Sequence, residues 1–136
     1  MINKVYKNGR LSAIFINFLS EISSTTFFTD DAIPLQVGVI VKDPSRPVLA
    51  HRHNIFERKV MGTSEFLFVL KGSMKVTIFD DDFLNPEEYS VNEGMGILLL
   101  SGAHSIDFNE TTQLIEVKQG PYSAEVDKVY RSEFEK

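Results

Sequence analysis

Two short runs in this chain, Phe66-Leu67-Phe68-Val69-Leu70 and Ile97-Leu98-Leu99-Leu100, are apolar at every position. Runs this short, closed by Gly72 and by Ser101-Gly102, suit strands better than helices. Successive side chains of a strand point to opposite faces, so a strand that is apolar throughout must be covered on both sides. A small two-layer sandwich with wet outer faces would alternate instead. The chain therefore needs a further covering layer, from its N-terminal apolar residues or from a second subunit. We expect a homodimer, packed through a sheet face or through exchanged N-terminal elements.

The remaining segments agree with β structure from Pro34 onward. Strands are expected over Leu35 to Val41, Val48 to His53, Glu65 to Lys71, Lys75 to Phe79, Tyr89 to Asn92, Ile97 to Leu100, His104 to Phe108 and Thr112 to Lys118. Lys42-Asp43-Pro44-Ser45-Arg46-Pro47 and Gly72-Ser73 read as turns, and Asp80 to Glu88 as a solvated hairpin loop. Before Pro34 a helix competes. Leu11, Ile14, Phe15, Phe18, Leu19 and Ile22 recur at helical spacing, while Ile14-Phe15-Ile16 favours a strand. The spacing favours a helix or helix-like packing there. The charged tail from Ser123 to Lys136 is expected to hold a short surface helix. Many short strands punctuated by Gly, Pro and Asp make an all-β antiparallel sandwich or barrel, in one domain without repeats.

Composition removes several classes of function. With 136 residues the chain can bury a core without staples, and with no cysteine it has neither disulfides nor thiol chemistry. A net charge of −5 argues against non-specific nucleic-acid binding and against a basic membrane-binding face. Lys4, Lys7 and Arg10 precede LSAIFINFL, but this apolar segment is short, is interrupted by Asn17, and has no small-residue cleavage site after it. A cytoplasmic location is the expectation.

The chemistry-bearing residues concentrate near His51 and His53. In an extended segment, two histidines one residue apart point the same way. Glu65 opens the next strand and His104 lies in the C-terminal half; three imidazoles and a carboxylate suit a divalent ion. Glu57 rivals Glu65 as the carboxylate ligand, but Glu65 sits on a strand and Glu57 in a loop, where it suits a general acid or base. Arg58 is a candidate for an anionic substrate such as a sugar phosphate, Gln36 and Glu116 for polar cavity contacts, and Tyr122 for the cavity mouth. Nucleophile elbows, phosphate-cradling glycine loops and dinucleotide fingerprints are absent.

These residues resemble the cupin superfamily of jelly-roll β-barrels. His51-x-His53, then Glu65 with six residues before Gly72, is similar to its first motif; Gly94 and Leu100-Ser101-Gly102-Ala103-His104 are similar to its second. Ser45 stands where the first motif opens with glycine, and eleven residues separate His53 from Glu65 where three or four are usual. In the second motif Leu100 replaces a proline, one residue is missing before His104, and Asn109 falls one place late. The resemblance spans about Leu35 to Tyr122, leaving 1–33 as an N-terminal helical or strand extension. It implies a small single-domain cupin with one divalent metal (Fe, Mn, Ni or Zn) held by His51, His53, Glu65 and His104. Its substrate would be a small polar molecule, a carbohydrate or nucleotide-sugar intermediate of surface-polysaccharide biosynthesis. Isomerase, epimerase and oxygenase chemistry all suit such a site, and a non-catalytic metal- or sugar-binding dimer is the alternative.

Overall fold

A computed structural model describes residues 2–134. The chain is nearly all β, with ten strands and one four-residue helix among the described residues. The strands are β1 (Ile2–Lys7), β2 (Arg10–Asn17), β3 (Thr26–Phe27), β4 (Gly38–Val39), β5 (Glu65–Lys71), β6 (Ser73–Ile78), β7 (Glu87–Asn92), β8 (Met95–Leu99), β9 (His104–Phe108) and β10 (Gln113–Lys118). Helix α1 covers Arg131–Phe134, in the charged tail. The last two tail residues, Glu135 and Lys136, lie outside the described residues. No described helix is long and apolar enough to cross a membrane.

All pairings are antiparallel. One sheet has five strands in the order β1-β2-β8-β5-β10, a second has three in the order β7-β6-β9, and β3 pairs with β4 as a separate ribbon. The five- and three-stranded sheets are distinct ladders, joined by side-chain packing. Val5, Ala13, Phe15, Leu67, Val69, Ile97 and Leu99 from the larger sheet meet Met74, Val76, Ile78 and Val91 from the smaller in one buried cluster. Fully burying an aliphatic side chain of this kind contributes about 1.5–3 kcal/mol, which makes this cluster the main source of cohesion.

Both faces of β8 are covered, and those of β5 are covered as far as Val69, with Leu70 exposed. β8 lies between β2 and β5, with Ile97 in the inter-sheet core and Leu98 on the opposite face. Residues 18–39 form the covering layer there. Phe18, Ile22, Phe28, Leu35, Val37 and Val39 pack over Ile14, Ile16, Phe66 and Leu98. The Phe18 ring meets Phe28, Phe66 and Phe68 edge-on at 5.8, 6.1 and 5.5 Å between centroids. Gly96 permits this closeness, because a Cβ there would lie 2.8 Å from the Phe18 ring and 2.9 Å from that of Phe66.

The helix expected over Leu11 to Ile22 is a strand as far as Asn17. A helix would place Ile14 and Phe15 on one stripe, whereas the sheet sends them to opposite faces and buries both. Asn8 and Gly9, at φ 49° and 74°, form the tight turn that folds β2 back on β1. Asn-Gly is the strongest short hairpin signal in a sequence, and here it outweighs the helical spacing. β2 is thus an interior strand of the large sheet and not an appendage.

Two other expectations differ. Leu35 to Val41 contains only the two-residue β4, and Val48 to His53 forms no strand. The Asp80 loop is less solvated than its charge suggests. Asp80 is buried, and its carboxylate accepts hydrogen bonds from the backbone N–H of Asp82 and Leu84 and from Asn85 Nδ2, at 3.0, 2.8 and 2.8 Å. Those bonds hold its carboxyl below the usual range, the Leu84 N–H contributing most. They also support Phe83 and Asn85 at φ 61° and 52°.

Candidate active site

Residues 65, 67 and 69 of β5 share the face that looks between the sheets, since Leu67 and Val69 belong to the inter-sheet core. Glu65 is the position where that apolar row ends. Directly opposite it in the ladder stand Leu99 of β8 and Lys118 of β10. On the smaller sheet, residues 104 and 106 of β9 share the face toward the core, Ile106 packing on it. His104 is the end of that row. The two sheets therefore present a carboxylate and an imidazole to each other at the same end of the core.

Their contact is direct. His104 Nε2 lies 3.5 Å from Glu65 Oε2, the outer limit of a hydrogen bond, with the Glu65 side chain 13 % and the His104 side chain 33 % exposed. Lys118 Nζ sits 3.8 Å from Glu65 Oε1 and 3.5 Å from Glu116 Oε1, and 4.9 Å above the Tyr122 ring. The His104 imidazole holds the Glu65 carboxyl below its ordinary range; burial opposes this, and Lys118 and Lys128 add to the lowering. For Lys118, burial favours the neutral amine, but the carboxylates of Glu116 and Glu65 prevail and raise its pKa.

Local sequence accounts for the aim of these groups. Gly102, at φ 77°, turns the chain between β8 and β9 where a Cβ would lie 2.5 Å from the Phe79 carbonyl oxygen. Phe79 N–H and the Ala103 carbonyl close the same turn at 2.8 Å, so His104 starts its strand from a fixed point. On the other side, the Gln119 side chain accepts a 2.5 Å hydrogen bond from Ser64 N–H, tying the segment after Lys118 to the residue before Glu65. An inter-sheet ion pair, Lys7 Nζ to Glu87 Oε1 at 2.5 Å, joins the opposite edges of the sheets.

His51 and His53 lie elsewhere. Both are exposed, in a stretch without strand structure, with ring centroids 5.3 Å apart and His51 Nδ1 2.8 Å from the Leu49 carbonyl. Without a ladder to hold the segment, the alternation that would aim both rings at one point is lost. Among the described residues no group of three or more His, Cys, Asp or Glu is placed to hold a metal ion. The expected ligand set is divided into two pairs, so in this arrangement it does not supply the three or more protein ligands of a His/carboxylate site for a transition-metal ion.

The weaker candidates separate in the same way. Glu116 and Tyr122 join Lys118 beside Glu65. Glu57 is exposed in the segment that carries the two histidines. Arg58 stacks its guanidinium 3.8 Å over the Phe56 ring. The Gln36 amide accepts from Thr29 Oγ1 and donates to the carbonyls of Asp30 and Ile33, so it braces its own loop.

Comparison with models of known protein families, and with curated proteins, finds no match. The geometry alone describes this site. Lys118 is the residue that sequence reasoning passed over, although the alternation Glu116-x-Lys118 on a strand was the signal that both share a face.

Proposed function

We propose that this chain is a cupin-type jelly roll acting on a small polar molecule of the carbohydrate class, with Glu65 and His104 as its proton-transfer pair. The observation that carries this reading is the inter-sheet contact of those two side chains at the end of an otherwise apolar core. An imidazole held by an ionised carboxylate accepts a proton and shares the resulting charge with that carboxylate. Lys118 stands close enough to balance the carboxylates and to offer an N–H to a substrate oxygen. Such a set suits removal of a proton next to a sugar carbonyl, the step shared by isomerases and epimerases. The test is solvent exchange: a keto sugar such as fructose, incubated with the protein in D2O, should gain deuterium beside its carbonyl. His104→Gln should abolish that gain. Absence of exchange with a panel of keto and aldo sugars would remove the catalytic reading and leave a non-catalytic sugar-binding protein.

A metal-dependent form of the same site is favoured by one observation. Among the described residues β9 pairs with β6 alone, leaving its other edge open, while residues 48–53 have no strand partner and expose Val48 and Leu49. Addition of that segment to β9 would place His51 and His53 on the sheet that carries His104. Elemental analysis of protein purified without an affinity tag tests this, and metal content unaffected by replacing both histidines would remove it. The homodimer is supported by Leu70, Ile115 and Val117, exposed large apolar side chains at or beside the β10 edge. Sedimentation showing a monomer at high concentration would count against it.

A further inference from the structure

An open concavity of about 600 Å³ lies between the β3–β4 ribbon and the segment before β5. It uses none of the residues of the Glu65–His104 site. Its lining is apolar at Phe27, Ile33, Pro34 and Val60 and cationic at Arg58 and Lys59. Asp31 is the one carboxylate in its lining. Neither cation comes within 4.0 Å of a carboxylate among the described residues, so neither is neutralised by an ion pair.

The apolar wall is held in place. Phe27 is paired with Gly38 across the ribbon and remains 57 % exposed. Its ring lies against that glycine so closely that a Cβ at position 38 would fall 2.7 Å from the ring. Gln36, bonded to Thr29, Asp30 and Ile33, fixes the loop that carries Ile33 and Pro34. Arg58 rests on Phe56, which leaves the N–H edge of its guanidinium available. An exposed aromatic ring beside an arginine and a lysine matches a ligand with a flat ring at one end and a multiply charged anion at the other. The volume falls in the range of small-molecule sites.

We propose that this concavity binds a small organic phosphate, its ring against Phe27 and its phosphate between Arg58 and Lys59. The probe is phenyl phosphate, titrated into the full chain at low salt and followed by NMR or calorimetry. Saturable binding is expected, weakened about a hundredfold when Arg58→Gln and Lys59→Gln are combined, since each charge-assisted contact removed is worth about tenfold. Phe27→Leu should weaken binding several-fold, and Gly38→Ala should do the same without touching a charge. Glu65→Gln should bind as the parent does, which separates this site from the catalytic reading. No saturable binding would overturn the proposal. So would unchanged affinity in the double variant, or inorganic phosphate binding as tightly as phenyl phosphate. Displacement of the probe by a glutamate-rich peptide at equal concentration would assign the surface to an acidic protein and likewise overturn it.

Discussion

Glu65 and His104 belong to different sheets, are 39 positions apart in the chain, and meet at 3.5 Å where the apolar core between those sheets ends. Their contact joins layers that, among the described residues, are separate hydrogen-bonded sheets. It is also where polar chemistry is enclosed enough to be directed by neighbouring side chains.

The pair makes stability depend on acid. The Glu65 carboxyl titrates below its ordinary 4.5 in the folded chain, so its contribution is complete above pH 4.5 and is lost as pH falls through the lowered value. In urea melts between pH 7 and 3, Glu65→Gln should lower stability by about 1 kcal/mol at pH 7 and show a shallower decline below pH 4.5. Parallel pH profiles for parent and variant would contradict the lowered Glu65 pKa.

Lys118 should act on the same titration. Removing its positive charge with Lys118→Met takes away part of what keeps Glu65 ionised, so the Glu65 pKa rises. The acid transition then begins at a higher pH than in the parent. Carbon-detected NMR of the Glu65 carboxyl measures this directly, and a downward shift would refute it.

Gly102→Ala should be among the more damaging single-methyl substitutions in the chain. It places a Cβ at φ 77° and 2.5 Å from the Phe79 carbonyl, so strain and collision add. A loss of at least about 2 kcal/mol is expected in denaturant melts. Displacement of the His104 imidazole resonances should accompany it, because the turn leads directly into that residue. Gly9→Ala meets nothing within 4 Å, and should cost only the smaller backbone penalty.

The two apolar layers can be tested through adjacent residues. Ile97 and Leu98 are both fully buried, the first between the sheets and the second under residues 18–39. Ile97→Ala and Leu98→Ala should each cost about 2–5 kcal/mol by equilibrium unfolding. If Leu98→Ala costs under 1 kcal/mol, residues 18–39 do not form a packed layer.

Much of the β architecture was legible in short-range pattern. The all-apolar strands announced coverage on both faces, and Gly72 and Gly102 marked turns at positive φ. The Asn8-Gly9 hairpin signal was passed over, and the spacing of Leu11, Ile14, Phe15, Phe18, Leu19 and Ile22 pointed to a helix. Four of those six residues do lie on one face of the large sheet; Phe15 enters the inter-sheet core, and Leu19 is exposed. A strand and a loop can bury nearly the same set as a helix, so periodicity over a dozen residues did not separate them.

What the chain's own pattern determined is which side chains must leave water, because alternation and burial are set by covalent geometry and hydrophobicity within a few residues. Only the tertiary structure decided which polar side chains meet. Lys118 reaches Glu65 because β10 pairs with β5 in one register, and His104 reaches it because the smaller sheet stacks in one orientation. His51 and His53 lack such a partner strand, and their spacing alone could not bring them to the other two. Sequence proximity specifies a direction, whereas convergence depends on long-range pairing and on the packing energy that holds two sheets face to face.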